Sequence, residues 1–174
     1  MRSVTHAGST MADADGVIDH PDIAEAPFVW LGHTADDSIA VSIYVLVRDG
    51  ARQRPELSAA MRGSVRMHFV DDYPPVRVDL RGDEIEVADD VDSDDRAYDL
   101  ELSGRLGDIA ALLVAPLAGG LPKPTTRRGR QAIARLADGR VDFDGPLGLA
   151  RNLLRLLAVD ADRAAAQPAA KPRP

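Results

Sequence analysis

The chain contains no cysteine, which excludes disulfides, thiolate catalysis and cysteine-ligated metal sites within its 174 residues. It also has no long apolar run: the longest, at residues 109–118, is about half of what a membrane-spanning helix needs and contains Pro116. The first residues lack the apolar centre of a signal peptide. Together these absences predict a soluble protein that works in the cytoplasm.

Motifs of catalysis are missing as well. The sequence has no glycine-rich phosphate cradle, no nucleophile elbow and no HExxH zinc motif. His33 lies near Asp36 and Asp37, and His68 alternates with core positions, but neither histidine has a visible second ligand or catalytic partner. We therefore predict no catalytic residues, no metal and no cofactor.

One acidic stretch does have metal-binding spacing. Asp90, Asp92, Asp94 and Glu101 occupy the first, third, fifth and twelfth positions of an EF-hand calcium loop. However, Asp95 stands where that loop needs glycine, and the flanking residues are typical of strands rather than helices. A solvated acidic loop is therefore the better interpretation.

Positive charge is scarce and unevenly placed. The chain carries 21 basic and 28 acidic residues, a net charge of −7. Residues 71–101 hold thirteen acids and three arginines (net −10), whereas residues 121–174 hold eleven basic and five acidic residues (net +6). The acidic total argues against nucleic-acid binding, which depends on phosphate neutralisation. The basic segment could contact anionic lipids or the acidic strands of a second copy, so peripheral membrane contact and a homodimer both stay open.

The tightest basic cluster is Arg127, Arg128 and Arg130, at the start of a predicted helix. Guanidinium groups bind phosphate or carboxylate through paired hydrogen bonds, so these three arginines are candidate headgroup contacts. A solvated helix face is the alternative interpretation.

Periodicity predicts one folded domain at residues 27–160, between aperiodic tails at 1–26 and 161–174 that are expected to be disordered. Alternating apolar residues predict three strands joined as an antiparallel meander, followed later by two more. Helical spacing predicts the other elements, with Thr34 and Ser103 as caps. The expected strands are 65–70, 76–80, 84–87, 98–102 and 141–143. The first expected helix begins at Thr34. Further helices are expected at 55–62, 106–117 and 126–137, and from Pro146 to about residue 159.

The closing helix has a wide apolar face. Arg151, Asn152 and Arg155 share one stripe, and mainly leucine and alanine fill the rest of the circumference. Such a helix needs two apolar contacts. One is the protein's own sheet, and the second could be another helix, a partner chain or an apolar ligand.

Three segments, in this order of elements, carry a resemblance to a known family. They are GSVRMHFVDDYPPVRVDLRGDEIEVADD, AYDLELSGRLGDIAALLVAPLAGG and GRVDFDGPLGLARNLLRLL. They resemble the sterol carrier protein 2 (SCP2) family, whose last segment typically has Gly-Lys, a strand, a glycine turn and a leucine-rich helix. Gly139-Arg140 replaces Gly-Lys here, and the link GLPKPTTRRGRQAIARLADG is longer than usual. The arginine- and alanine-rich composition indicates a bacterial source.

The resemblance implies an α+β fold, in which a five-stranded, mostly antiparallel sheet carries helices over one face. It also implies an apolar cavity between sheet and helices that binds or transfers sterols, fatty acids or phospholipids without catalysis. A solid core is the alternative for the same leucines, and a protein-interaction module without a small ligand is the alternative function. An isomerase or thiol-dependent enzyme of the kind associated with SCP2 domains lacks any catalytic set here. The expected cavity-lining residues are Val65, Met67, Phe69, Val78, Leu106, Ile109, Leu112, Leu113, Leu117, Leu149, Leu153, Leu156 and Leu157.

Overall fold

A computed structural model describes residues 25–91 and 96–158, and within them the chain forms a six-stranded sheet, a two-stranded hairpin and five helices. The predicted tails, apart from residues 25 and 26, lie outside the described residues. The sheet strands are β1 (Phe28–Leu31), β2 (Gly63–Phe69), β3 (Val76–Leu80), β4 (Glu84–Asp89), β5 (Leu100–Gly104) and β8 (Val141–Asp144). The hairpin consists of β6 (Leu117–Ala118) and β7 (Leu121–Pro122). The helices are α1 (Ala40–Gln53), α2 (Pro55–Ala60), α3 (Leu106–Leu113), α4 (Arg127–Ala137) and α5 (Leu147–Leu157).

The strands follow the spatial order β1-β4-β3-β2-β5-β8. The predicted meander is confirmed, because β2, β3 and β4 pair antiparallel, and β5 pairs antiparallel with β8. The pairs β1–β4 and β2–β5 are parallel. The mixed α+β class with a mostly antiparallel sheet is therefore confirmed.

The sheet has six strands where five were expected. The additional strand, β1, has the sequence FVWL, which is too short and too uniformly apolar to show a period of two. It lies in register with Glu84–Val87, and the Trp30 indole donates a hydrogen bond to the Glu84 carboxylate. The strand therefore depends on its partner β4 rather than on a local pattern.

The first helix begins later than Thr34 predicted. Helix α1 starts at Ala40, whose N–H donates to the Ser38 hydroxyl at 2.9 Å. Ser38 in turn donates to the Asp89 carboxylate, which also accepts the Ala35 N–H at 2.8 Å. The predicted Thr34 cap is wrong because a carboxylate from β4, distant in sequence, organises this turn instead.

Helix α3 is also capped from a distance. The Leu106 N–H donates to the Asp71 carboxylate oxygens at 3.1 Å, while Ser103, the predicted cap, lies in β5. An acid at a helix N-terminus satisfies a free amide and complements the helix dipole. The helix predicted at 126–137 is confirmed as α4, and Thr126 caps it, because its hydroxyl accepts the Gly129 N–H at 3.0 Å.

Helix α3 ends at Leu113, four residues before the expected end. Proline lacks the N–H that would continue the helix, and Pro116 follows shortly after. Leu117 instead pairs with Pro122 in the hairpin. Gly119 and Gly120 form the turn, with φ of 60° and 82°. These positive φ angles favour glycine.

Helices cover one face of the sheet, and the other face is polar. The strand residues that point toward the helices are buried, with Val65, Met67, Val78, Leu100 and Leu102 fully inaccessible. In the residues that the structure describes, no helix combines the length and apolarity needed to cross a membrane.

Candidate functional site

The thirteen predicted cavity residues all belong to one contiguous apolar core. Three of them, Leu106, Leu117 and Leu149, are partly buried and pack against the rest. The other ten are at most 5% exposed: Val65, Met67, Phe69, Val78, Ile109, Leu112, Leu113, Leu153, Leu156 and Leu157. The structure therefore brings the predicted residues together, and in it their side chains fill the space between sheet and helices.

The second apolar contact of α5 is another helix of the same chain. The most extensive helix packing is between α1 and α5. There Gly50 lies so close to α5 that an added Cβ would be 1.8 Å from the Leu156 carbonyl oxygen. On its other side, the Leu149 side chain reaches Gly63 at the start of β2. Of the three alternatives left open by the sequence, the structure shows a helix.

The helix layer divides into two groups. Helix α1 packs on α5 and α2, whereas α3 packs on α4. Between the groups, α5 and α3 approach β2 and β5 from opposite ends. Leu149 of α5 touches the start of β2, and Ile109 of α3 lies beside Gly104 at the end of β5. We call the strip along β2 and β5 beneath these two helices the seam.

The β6–β7 hairpin joins the two groups at one end of the seam. Arg151 of α5 donates from Nε and Nη2 to the Gly119 carbonyl, at 2.9 and 2.5 Å. At Gly120, an added Cβ would lie 3.1 Å from the Arg151 Cβ. The base of the hairpin is closed by the Lys123 N–H, which donates to the Pro116 carbonyl at 2.7 Å. The hairpin therefore ties the end of α3 to the side of α5.

Two clefts open at the surface. The first, of about 490 Å³, lies where β2 and β5 end, and its walls include Val70, Ser103, Arg105, Asp108 and Arg140. We call it the strand-end cleft. The second, of about 400 Å³, lies between β1 and α1 beside Phe28 and Tyr44. Neither cleft is lined by any of the thirteen predicted cavity residues.

The candidate headgroup arginines are exposed in the first turn of α4. Arg130 donates to the Pro124 and Thr125 carbonyls, both at 3.4 Å. None of Arg127, Arg128 and Arg130 lines either of the two clefts. These three arginines therefore lie outside both clefts.

The polar face of the sheet carries ion pairs that sequence spacing did not reveal. Arg77 lies 2.7 Å from Asp79 and 3.0 Å from Glu86, and all three side chains are more than four-fifths buried. These residues share one face because β3 and β4 pair in register, with Asp79 opposite Glu86. Alternation could have placed each residue on the polar face, but only strand pairing brings the charges into contact.

A second polar cluster includes Asp90, the first residue of the EF-hand spacing. The Asp90 side chain is only 3% exposed, and its Oδ2 lies 3.1 Å from Arg66 Nε without the alignment of a hydrogen bond. The Tyr98 hydroxyl donates to Asp90 Oδ1 at 2.6 Å. Burial, and then this hydrogen bond, raise the pKa of Tyr98 to about 12.

Asp92 and Asp94 lie outside the described residues, so the structure describes only Asp90 and Glu101 of the four residues with EF-hand spacing. No group of three His, Asp or Glu side chains within 25–91 and 96–158 is arranged to hold a metal ion. Of the two histidines in this part, His33 is exposed, and His68 Nδ1 lies 3.8 Å from Glu101.

Comparisons with known proteins find similar chains among solved structures only. No protein-family model and no curated protein matches this sequence. Among solved structures, UbiJ-SCP2, a ubiquinone synthesis protein, is 11% identical, with 68% of this chain and 92% of that chain aligned and a TM-score of 0.48. Sterol carrier protein 2 of Yarrowia lipolytica, in its apo form, is 16% identical (71% and 92% covered, TM-score 0.46). The sterol carrier protein domain 2 of Helicoverpa armigera is 14% identical (80% and 99% covered, TM-score 0.45). Solved structures similar to this chain thus include SCP2 proteins, the family that the sequence resembles, and ligand and activity have to be argued from the residues themselves.

Proposed function

We propose that this protein binds an apolar or amphipathic small molecule, such as a lipid or fatty acyl chain, along the seam and catalyses no reaction. The observation that carries the proposal is the division of the helix layer into two groups over one apolar sheet face. Where the groups meet, the sheet below and the helices on both sides are apolar. A chain-like ligand inserted there would meet hydrocarbon on three sides.

Opening the seam for such a ligand exchanges one apolar contact for another. Buried apolar area is worth roughly 25 cal/mol per Å², whether it faces leucine or an acyl chain. The cost of uptake therefore falls mainly on the polar contacts that hold the helix groups together. The described contact of this kind is Arg151 with the Gly119 carbonyl, which is exposed and therefore inexpensive to break.

The absence of catalysis is part of the same proposal. In the described parts of the chain, the ion-pair clusters around Arg66 and Arg77 are on the polar face of the sheet, away from the seam. Neither histidine there has a serine or threonine hydroxyl as a hydrogen-bond partner. Binding or transfer is therefore the activity for which residues are in place. The cytoplasmic location, the bacterial source, membrane contact and the homodimer stay predictions.

The test uses a disulfide that can close the seam. The variant Gly120→Cys/Arg151→Cys brings two Cβ atoms close to the separation that a disulfide requires, and the chain has no other cysteine. The full-length variant is titrated with a fluorescent fatty acid in its oxidised and reduced forms. Thermal unfolding of both forms verifies that the fold is retained, because Gly120 has a positive φ.

We expect the reduced variant to bind the fatty acid, and the oxidised form to bind it at least tenfold more slowly or more weakly. Native mass spectrometry and solvent extraction of the wild-type protein should show a bound lipid or acyl chain. Equal binding by the oxidised and reduced forms would place the ligand outside the seam. If the wild-type protein binds none of the amphiphiles tested, the proposal is wrong.

A further inference from the structure

The strand-end cleft has a chemistry different from that of the seam. It lies where the parallel strands β2 and β5 both end and where α3 begins. Its volume of about 490 Å³ falls in the range of roughly 300–1,000 Å³ that is usual for small-molecule sites. Apart from Val70, its side chains are polar or charged, so it suits a hydrophilic ligand.

The positive groups of the strand-end cleft are free. In the part of the chain that the structure describes, the Arg105 and Arg140 guanidinium groups have no hydrogen-bond or ion-pair partner, and neither has the Ser103 hydroxyl. Two arginines held beside one cleft repel each other, and an anion between them removes that repulsion.

Two of the acids near the cleft, Asp108 and Asp71, have partners. Asp108 forms an ion pair with Arg135 at 2.8 Å. Asp71 accepts the N–H of Leu106, so the amide at the start of α3 is already satisfied and the arginines have to supply recognition. Asp142 lies opposite Ser103 in the β5–β8 pair, is exposed and contacts neither guanidinium.

We propose that the strand-end cleft binds a phosphate monoester through Arg105 and Arg140, with the Ser103 hydroxyl as a further donor. A guanidinium presents paired N–H donors that match the oxygens of phosphate, and two such groups suit a dianion better than a monoanion. The phosphate can belong to a small soluble molecule or to a lipid headgroup, and the cleft's chemistry is the same for both. This inference does not depend on ligand binding in the seam.

The first arm of the test measures soluble phosphates. Glycerol phosphate and inorganic phosphate are titrated into the full-length protein by calorimetry, and amide shifts of Ser103 and Gly104 are followed by NMR. We expect Arg105→Ala and Arg140→Ala each to weaken binding by about tenfold. Arg52→Ala removes an exposed arginine that lines the other cleft and not this one, and serves as the matched control, with unchanged binding. Asp142→Asn should strengthen binding, since it removes a negative charge that lies opposite Ser103 and has no described ion-pair partner.

The second arm separates the two sources of phosphate. Vesicles of phosphatidylcholine with and without phosphatidic acid are sedimented with wild-type protein and with the same variants. Binding to phosphatidic acid alone, lost in Arg105→Ala and retained in Arg52→Ala, supports the proposal with a lipid headgroup as the source. Binding of glycerol phosphate with the same variant pattern supports it with a soluble source. Equal losses in Arg105→Ala and Arg52→Ala, or no phosphate binding in either arm, would overturn it.

Discussion

Gly50 of α1 lies directly against the main chain of Leu156 in α5, with space for a hydrogen atom but not for a methyl group. A Cβ at this position would lie 1.8 Å from the Leu156 carbonyl oxygen and 2.8 Å from its carbon. Because backbone atoms cannot rotate away as a side chain can, the distance between α1 and α5 depends on this glycine.

Gly50→Ala should therefore lower the free energy of unfolding by about 2–4 kcal/mol, as overpacking against a rigid neighbour does. Chemical denaturation measures this change in the free energy of unfolding. Gly148→Ala is the control, since Gly148 is also helical and has nothing within 4 Å of an added Cβ. That change should stabilise by about 0.5–1 kcal/mol through helix propensity alone. A similar effect of both substitutions would contradict the close packing of α1 and α5.

Arg151→Ala should loosen the β6–β7 hairpin while leaving the core intact. The side chain makes two hydrogen bonds to Gly119, but it is exposed, so we expect a global loss of at most about 1 kcal/mol. The local effect is larger. The Lys123 amide, which closes the base of the hairpin, should exchange its hydrogen faster in NMR measurements. Arg128→Ala should leave this exchange rate unchanged, and an equal effect of both variants would show that Arg151 does not hold the hairpin.

Arg77 and Arg81 allow a comparison between a buried and an exposed ion-pair partner on the same polar face. Arg77 contacts Asp79 and Glu86, and its removal leaves two largely buried carboxylates without their closest cation. We expect Arg77→Ala to cost about 2–3 kcal/mol of unfolding free energy. Arg81 is 53% exposed and its nearest acid is 3.4 Å away, so Arg81→Ala should cost less than about 1 kcal/mol. Urea unfolding of the two variants measures both losses of unfolding free energy, and equal losses would contradict the difference in burial.

Tyr98 should titrate later than a tyrosine of the unfolded chain. Its pKa is raised to about 12 by burial and by the hydrogen bond to Asp90. The folded state binds this proton more tightly than the unfolded state, whose tyrosine pKa is about 10. The stabilisation is therefore complete below pH 10 and is lost as the pH rises through 12. Absorbance at tyrosinate wavelengths should show a late step that Tyr98→Phe removes, and a late step that persists in the variant would contradict the assignment.

Local sequence patterns predicted an element correctly where residues close to it in sequence stabilise it. Alternation predicted the β2–β3–β4 meander, and helical spacing predicted α4. The predictions that were wrong concern elements that depend on residues distant in sequence. Asp89 organises the start of α1 instead of Thr34, Asp71 caps α3 instead of Ser103, and β1 forms by pairing with β4.

The candidate site shows the same division. The sequence predicted that the thirteen residues lie together, because apolar periodicity identifies a buried face, whatever covers it; their role as cavity walls stays a prediction. It could not show the strand-end cleft, because Arg105 and Arg140 are 35 residues apart and meet only through the pairing of β5 with β8. Nor could it show the ion pairs around Arg77 and Arg66, which depend on strand register.

By itself, the sequence determined the class of the fold, the apolar face of each element and the need of α5 for two apolar contacts. These properties follow from side-chain spacing along one strand or helix. Only the tertiary structure decided that α1 supplies the second contact, that the hairpin ties α3 to α5, and that two free arginines share a cleft. Each of these depends on how distant segments approach, and that approach is determined by the packing of the whole chain rather than by any local pattern.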